Sequence, residues 1–168
     1  MRGAATMKWC RFQHGDQPTY GLIEGDNVIP VSGTPFDVWT RGPQTYPLAS
    51  VKLLVPVIPP TFYAAGVNYR EHVTAIAAKR GEEPKFPPFA DVGYRANNAL
   101  AAQDEAIVIP KDATDLVQYE GELVVVIGKK CHKVSEKQAL DYVLGYTIGN
   151  DVSERTWQRN DRTLWRGK

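Results

Sequence analysis

The chain has 168 residues, enough for one domain with its own core or one domain plus a small lobe. Its 20 basic and 19 acidic residues nearly cancel, so there is no general electrostatic case for a nucleic-acid or membrane partner. No apolar run is long enough to span a bilayer, and the start, MRGAATMKWC, lacks the apolar stretch of a signal peptide.

Met7 stands directly before the first strand-like run, so residues 1–6 read as a leader, an expression scar or the product of an early start. WCRFQ, TYGLI and NVIPV are β-prone runs separated by HGDQP and EGDN, whose Gly and Asp suit turns. They predict a three-strand meander, a small N-terminal β domain over 1–58. Pro43, Pro47, Pro56, Pro59 and Pro60 punctuate a connector to a second region, 59–168. There a buried strand is expected over 61–65, then a turn at Gly66 and a short helix, REHVTAIAAKR, ending near Gly81. The following stretch, 81–100, is rich in Pro, Gly and Asn and reads as a long irregular loop or lid. AIVIP and GELVVVIG read as strands. Ser135 and Gln138 suggest a capping box for a helix that Gly145 ends, and GYTIGNDVS is a strand stopping at Asn150 and Asp151. A strand-rich chain with two or three short helices predicts an α+β β-roll or barrel.

Cys10 and Cys131 lie far apart without a CxxC spacing, which fits free thiols in a reducing cytoplasm. Cys131 and His132 lack the further soft ligands that a zinc site needs. Trp157 and Trp165 stand among Arg155, Arg159, Arg162 and Arg166, but Glu154 and Asp161 interrupt the basic run. That pattern suits a partner surface or dimer edge better than stacking on nucleic acid.

The chemistry centres on YEGELVVVI. Side chains alternate along a strand, so Glu120 and Glu122 project from one face and repel. Two accounts fit: an exposed strand end with both groups in water, or a hard divalent cation held between them. The apolar run after them, expected to be covered on both faces, favours the cation, because unpaired carboxylates beside a dry core are costly. Asp151, at the end of the next strand, is the natural third oxygen ligand, although a lone Asp there also serves as a turn-former.

Three stretches together, GVNYREH, YEGELVVVIGKK and GYTIGNDVSERTWQ with its trailing WRGK, resemble the fumarylacetoacetate hydrolase family in order and spacing. The N-terminal lobe resembles the small leading domain of bacterial two-domain members. The resemblance implies a mixed β-roll holding one Mg²⁺ or Mn²⁺, with Ca²⁺ also compatible, on Glu120, Glu122 and Asp151. It implies His72 as the proton-handling residue, Lys168 as a site lysine, and Arg155, Gln158 and Tyr69 as substrate-binding residues. The implied substrate is a small keto or diketo acid, turned over by C–C hydrolysis, isomerisation, tautomerisation or decarboxylation in a cytoplasmic homodimer. The rival reading is a non-catalytic member that binds metal or an acidic ligand as a scaffold.

The chain departs from the family pattern in places. Ala75 stands where family hydrolases commonly carry a Glu beside the His, and PPFADVGY lacks the lysine common in that loop. These changes fit a decarboxylase, an isomerase or a hydrolase with an unusual acyl group. The family's catalytic domain normally continues past the RGK element, so this chain is expected to be a piece of a longer one.

Overall fold

Alternation of apolar side chains builds the first sheet. In β1 (Lys8–His14) Cys10 and Phe12 point inward while their neighbours do not. β1 pairs antiparallel with β2 (Gln17–Glu24), and β2 with β3 (Asn27–Gly33). Gly15 and Gly25, with φ of 58° and 57°, supply the left-handed conformation that each tight turn requires. The predicted meander is therefore present. The sheet is completed by β4 (Trp39–Arg41), β5 (Tyr46–Pro47) and β6 (Leu53–Leu54), in the order β4-β3-β2-β1-β6 with β5 also on β3. Cys10, Phe12 and Val28 form its core, with Ile23, Leu48, Val51 and Leu53 packed against them. Burial raises the Cys10 thiol pKa to about 11, against a backbone hydrogen bond from Gly21 that lowers it.

The computed structural model describes residues 6–161 and 167–168. By internal packing the chain divides into two units: Met1–Ile58 with Ala101–Lys168, and Pro59–Leu100. The second unit contains β7 (Phe62–Gly66), α1 (Arg70–Arg80) and β8 (Asp91–Arg95). β7 and β8 pair antiparallel from Phe62 opposite Arg95 to Gly66 opposite Asp91. The stretch read as an irregular loop therefore contains a strand; its Gly93 faces a side with almost nothing in reach, so it costs no packing there. α1 ends as expected at Gly81, in the left-handed conformation at φ 67°. Arg70 lies 4.3 Å over the Phe86 ring and ties the helix start to the following segment.

In the first unit, β9 (Val117–Gln118) pairs with β12 (Ser153–Glu154), and β10 (Gly121–Ile127) with β11 (Val143–Asn150). Two expected elements change. AIVIP forms no strand; Ile107, Val108 and Ile109 are exposed, and β propensity without a partner does not make a ladder. The helix after Ser135 is shorter than expected: α2 covers Glu136–Ala139, a 3₁₀ turn follows over Leu140–Tyr142, and Gly145 lies within β11. The Ser135 hydroxyl donates to the Gln138 side-chain oxygen at 2.8 Å and leaves the backbone uncapped, so the capping box is not formed. Chain regains sheet pairing three residues after α2, and that ladder outweighs the helix propensity of LDYVL. α3 (Arg155–Asn160) follows β12 and ends at its C-cap, Asp161.

The sheet core rests on Phe12, which is fully buried. Phe12→Ala should destabilise the chain by about 3–5 kcal/mol, through lost burial and a residual cavity, read as a shift in urea midpoint. An unchanged midpoint would mean the sheet does not depend on this core.

Candidate functional site

The β10–β11 register decides which carboxylates can meet. Gly121 lies opposite Asn150 and Glu122 opposite Gly149. The Asp151 N–H donates to the Glu120 carbonyl at 2.9 Å, extending the ladder one step past the strand ends. Glu120 and Asp151 are thus opposite each other, and Glu122 and Gly149 lie two residues along on the same face. Gly149 leaves that face clear beside Glu122; a β-carbon there would come within 2.9 Å of Val124. Asn150 accepts the Glu120 N–H through its side-chain oxygen at 3.1 Å and fixes the turn into β10.

Glu120 is the centre of the cluster. The Arg155 guanidinium donates to Oε1, and the Lys168 ammonium lies 2.7 Å from Oε2. Lys168 Nζ also lies 3.0 Å from Asp151 Oδ2. The lysine side chain is only 5% exposed, so this ammonium is held by carboxylates and not by water. Arg155 uses two further donors on neighbours: Nε donates to Gln118 Oε1 at 2.9 Å and Nη1 to Gln158 Oε1 at 3.0 Å. Burial raises the Glu120 carboxyl pKa, but the hydrogen bonds and charges of Lys168 and Arg155 outweigh it and hold the group below the usual carboxylate range.

The structure therefore brings together Glu120, Asp151, Lys168, Arg155 and Gln158. Glu122 shares the face and is half-buried, and its side chain makes no hydrogen bond or ion pair among the described residues. Three carboxylates against two cations leave one net negative charge on this face. Oxygen donors of this kind suit a hard divalent cation, and the register places them on one side, so the donor set fits the implied metal in type. As the side chains stand, Lys168 spans two of the three, and no metal-holding group of three or more His, Cys, Asp or Glu occurs among the described residues.

Tyr69 and His72 belong to the other unit. Tyr69 is the N-cap residue of α1, and His72 follows on its first turn, exposed, beside the buried Val73. Val67, just before them, has φ 50°, a conformation that a β-branched residue rarely adopts. Trp157 lies on α3 with Arg155 and Arg159, whereas Arg162, Trp165 and Arg166 lie outside the described residues.

Sequence reasoning missed four participants. Gln118 and Asn150 orient Arg155 and the Glu120 backbone, and both flank motif residues in the sequence. Buried Glu154 and exposed Thr114 form a second group. Glu154 is 6% exposed, takes the Trp157 N–H on Oε2 at 2.5 Å, and accepts the Thr114 hydroxyl on Oε1. Burial raises its pKa, and these hydrogen bonds bring it below the usual range. Its position directly before a helix start was the available signal, and the sequence reading took it only as an interruption of basic charge.

Residues 61–168 match the family described as fumarylacetoacetate (FAA) hydrolase C-terminal, and residues 7–56 match the Rv2993c-like N-terminal family. Protein Rv2993c of Mycobacterium tuberculosis is 38% identical over 96% of this chain and 61% of its own length. An oxaloacetate tautomerase of Bacillus subtilis is 30% identical over 88% of this chain and 50% of its own. The crystal structure of a 2-hydroxyhepta-2,4-diene-1,7-dioate isomerase from Mycobacterium marinum superposes with a TM-score of 0.81 at 31% identity, over 97% of this chain and 61% of that one. The chain thus spans between half and two thirds of the length of these relatives.

The lowered Glu120 pKa gives a pH test. Below the ordinary glutamate range, about pH 4.3, the unfolded chain takes up protons that folded Glu120 refuses, so acid favours unfolding. In metal-free protein, stability should be full above that range and should be lost as pH falls through the lowered folded value. Glu120→Gln should remove part of that slope in thermal melts between pH 7 and pH 3. Parallel slopes in both proteins would show that the ion pairs do not hold the carboxylate.

Proposed function

This chain belongs to the fumarylacetoacetate hydrolase family, and on that premise we propose that it carries the metal- and substrate-binding part of an enzyme acting on a small diketo or keto-enol acid. The reaction class is hydrolysis of a C–C bond, or isomerisation or decarboxylation of the same kind of acid. The cluster around Glu120 is the observation that carries this reading. Three carboxylates on one face, with a buried lysine and an arginine against them, make a site for a cation and an anion side by side.

Glu120, Glu122 and Asp151 would hold Mg²⁺ or Mn²⁺, which supplies Lewis acidity toward a carbonyl oxygen. The chain's own residues do the rest. Arg155 offers a planar fork to the substrate carboxylate, and Gln158, already within hydrogen-bond reach of that fork, orients it. Lys168 supplies a point charge where negative charge develops on oxygen. His72 is assigned the proton transfer and Tyr69 a contact to substrate, both from the family resemblance; an imidazole is suited to moving a proton near neutral pH. Ala75 removes the carboxylate that would orient such a histidine for water activation, which favours isomerisation or decarboxylation over plain hydrolysis.

Two variants test the assignment. Glu122→Ala should weaken Mn²⁺ binding strongly in calorimetry; unchanged affinity would remove Glu122 from the ligand set. His72→Ala should leave Mn²⁺ affinity intact and lower turnover of a diketo acid about 10²- to 10⁴-fold, followed as loss of ultraviolet absorbance with Mg²⁺ and with chelator. A loss well under tenfold would assign the proton to another group. Tight Mn²⁺ binding without turnover of any keto acid would favour the scaffold reading.

A further inference from the structure

We propose that Glu154 is a positioning residue that holds Arg155 and Gln158 in their site arrangement by locking α3 to the segment running from Thr114 to Gln118. What this arm binds rests on the reading above; the coupling itself rests on contacts within the first unit.

Glu154 is nearly buried and lies beside Ser153, which is fully buried. A carboxylate placed there is costly unless both oxygens find donors. They do so on two different segments. Oε2 accepts the Trp157 N–H and caps α3, and Oε1 accepts the Thr114 hydroxyl from forty residues earlier. Helix capping alone is usually done by Ser, Thr, Asp or Asn. The longer glutamate reaches past the helix end, so one side chain both starts α3 and grips a second strand of chain.

The gripped segment then acts on the arginine. Glu154 pairs with Val117 and Ser153 with Gln118 in the β12–β9 ladder. The Leu116 N–H donates to Thr114 Oγ1 at 3.2 Å, and the Leu116 carbonyl accepts the Arg155 N–H at 3.1 Å. Gln118, at the end of this segment, accepts from Arg155 Nε. Arg155 is therefore held at its backbone and at its guanidinium by the same stretch that Glu154 anchors. On the other side, the Glu154 N–H donates to the Gly167 carbonyl at 2.9 Å. Gly167 has no room for a side chain, since a β-carbon would lie 2.5 Å from the Gln158 nitrogen. The residue before Lys168 is thus packed against the residue that orients Arg155.

A residue that only stabilises the fold would lower the melting temperature and leave the arm unchanged in whatever protein remains folded. A positioning residue moves the arm in folded protein. The test compares wild type, Glu154→Ala, Glu154→Gln and Thr114→Val by nuclear magnetic resonance below their melting temperatures. In Glu154→Ala the Arg155 Nε–H resonance should move toward that of a solvent-exposed arginine, with β1–β3 amide signals unmoved. Glu154→Gln, whose amide oxygen can accept the Trp157 N–H while its NH2 donates to the Thr114 hydroxyl oxygen, should restore most of the wild-type position. Thr114→Val removes the donor to Oε1, and with it the acceptor for the Leu116 N–H, but keeps the Glu154 carboxylate and its cap on Trp157, so the inference stays testable where Glu154→Ala does not fold; it should shift Arg155 in the same direction by less.

Oxalate binding provides the second readout. Its dissociation constant should rise about tenfold in Glu154→Ala while Mn²⁺ affinity stays within about twofold, the signature of a displaced anion arm beside an intact carboxylate face. An Arg155 resonance unmoved in both Glu154→Ala and Thr114→Val would overturn the inference. Failure of wild-type protein to bind oxalate would instead overturn the functional reading, while the Arg155 resonance still decides the coupling.

Discussion

Glu120 accepts two cations from two different parts of the chain, Arg155 at the head of α3 and Lys168 at the last position. Its own backbone is fixed by Asn150 and by the ladder to Asp151. One carboxylate thus joins the β10–β11 ladder, the α3 segment and residue 168. Ion pairs at the surface are worth little, because water screens them and side-chain entropy opposes them. Here each side chain is less than a quarter exposed and the lysine nearly buried, so the groups depend on one another for solvation. Removing any one leaves a poorly hydrated charge behind. The arrangement is specific for that reason, whatever its net contribution to stability.

How much of this could be read from the sequence follows from the range of each cause. The meander was legible because its causes are local: alternation puts Cys10 and Phe12 inward, and Gly15 and Gly25 stand where turns need φ above zero. The face shared by Glu120 and Glu122 was legible too, since side-chain alternation implies it, whereas the register that sets Asp151 opposite Glu120 was not. AIVIP failed because a ladder needs a partner, and propensity carries no information about one. The helix after Ser135 failed because strand pairing from Val143 onward competes for the same residues. The contact of Glu154 with Thr114 was not legible for a related reason. It spans forty residues, and Thr114 belongs to no motif.

The run LVVVI was expected to be covered on both faces. One face is half-buried, with Glu122, Val124 and Val126 inward, but Leu123, Val125 and Ile127 are exposed on the other, beside Tyr146 and Ile148 of the paired strand. Every position is apolar, yet the described residues supply packing for one side alone. This matters for the site, since Glu122 lies on the half-buried face. Glu122 is half-buried without gaining a cation among the described residues, whereas Glu120 is half-buried and paired twice. The two glutamates of one motif therefore have different chemistry available: Glu120 is already committed to Lys168 and Arg155, and Glu122 carries the charge left over.

That leftover charge bears on how the proposed site would take its ligands. Three carboxylates and two cations sum to one negative charge, which repels an anionic keto acid at short range. Adding a divalent cation to the same face turns the sum to one positive charge. Arg155 by itself does not present a complete fork, because Gln118 takes Nε–H and Glu120 and Gln158 take Nη1, three of its five N–H donors. Competition by a metal for the Glu120 carboxylate would weaken its hold on the guanidinium and the ammonium, and both would become available to an anion. Within the proposed function, the ion pairs seen here keep Arg155 and Lys168 in place, and cation binding at the carboxylate face would be coupled to their release.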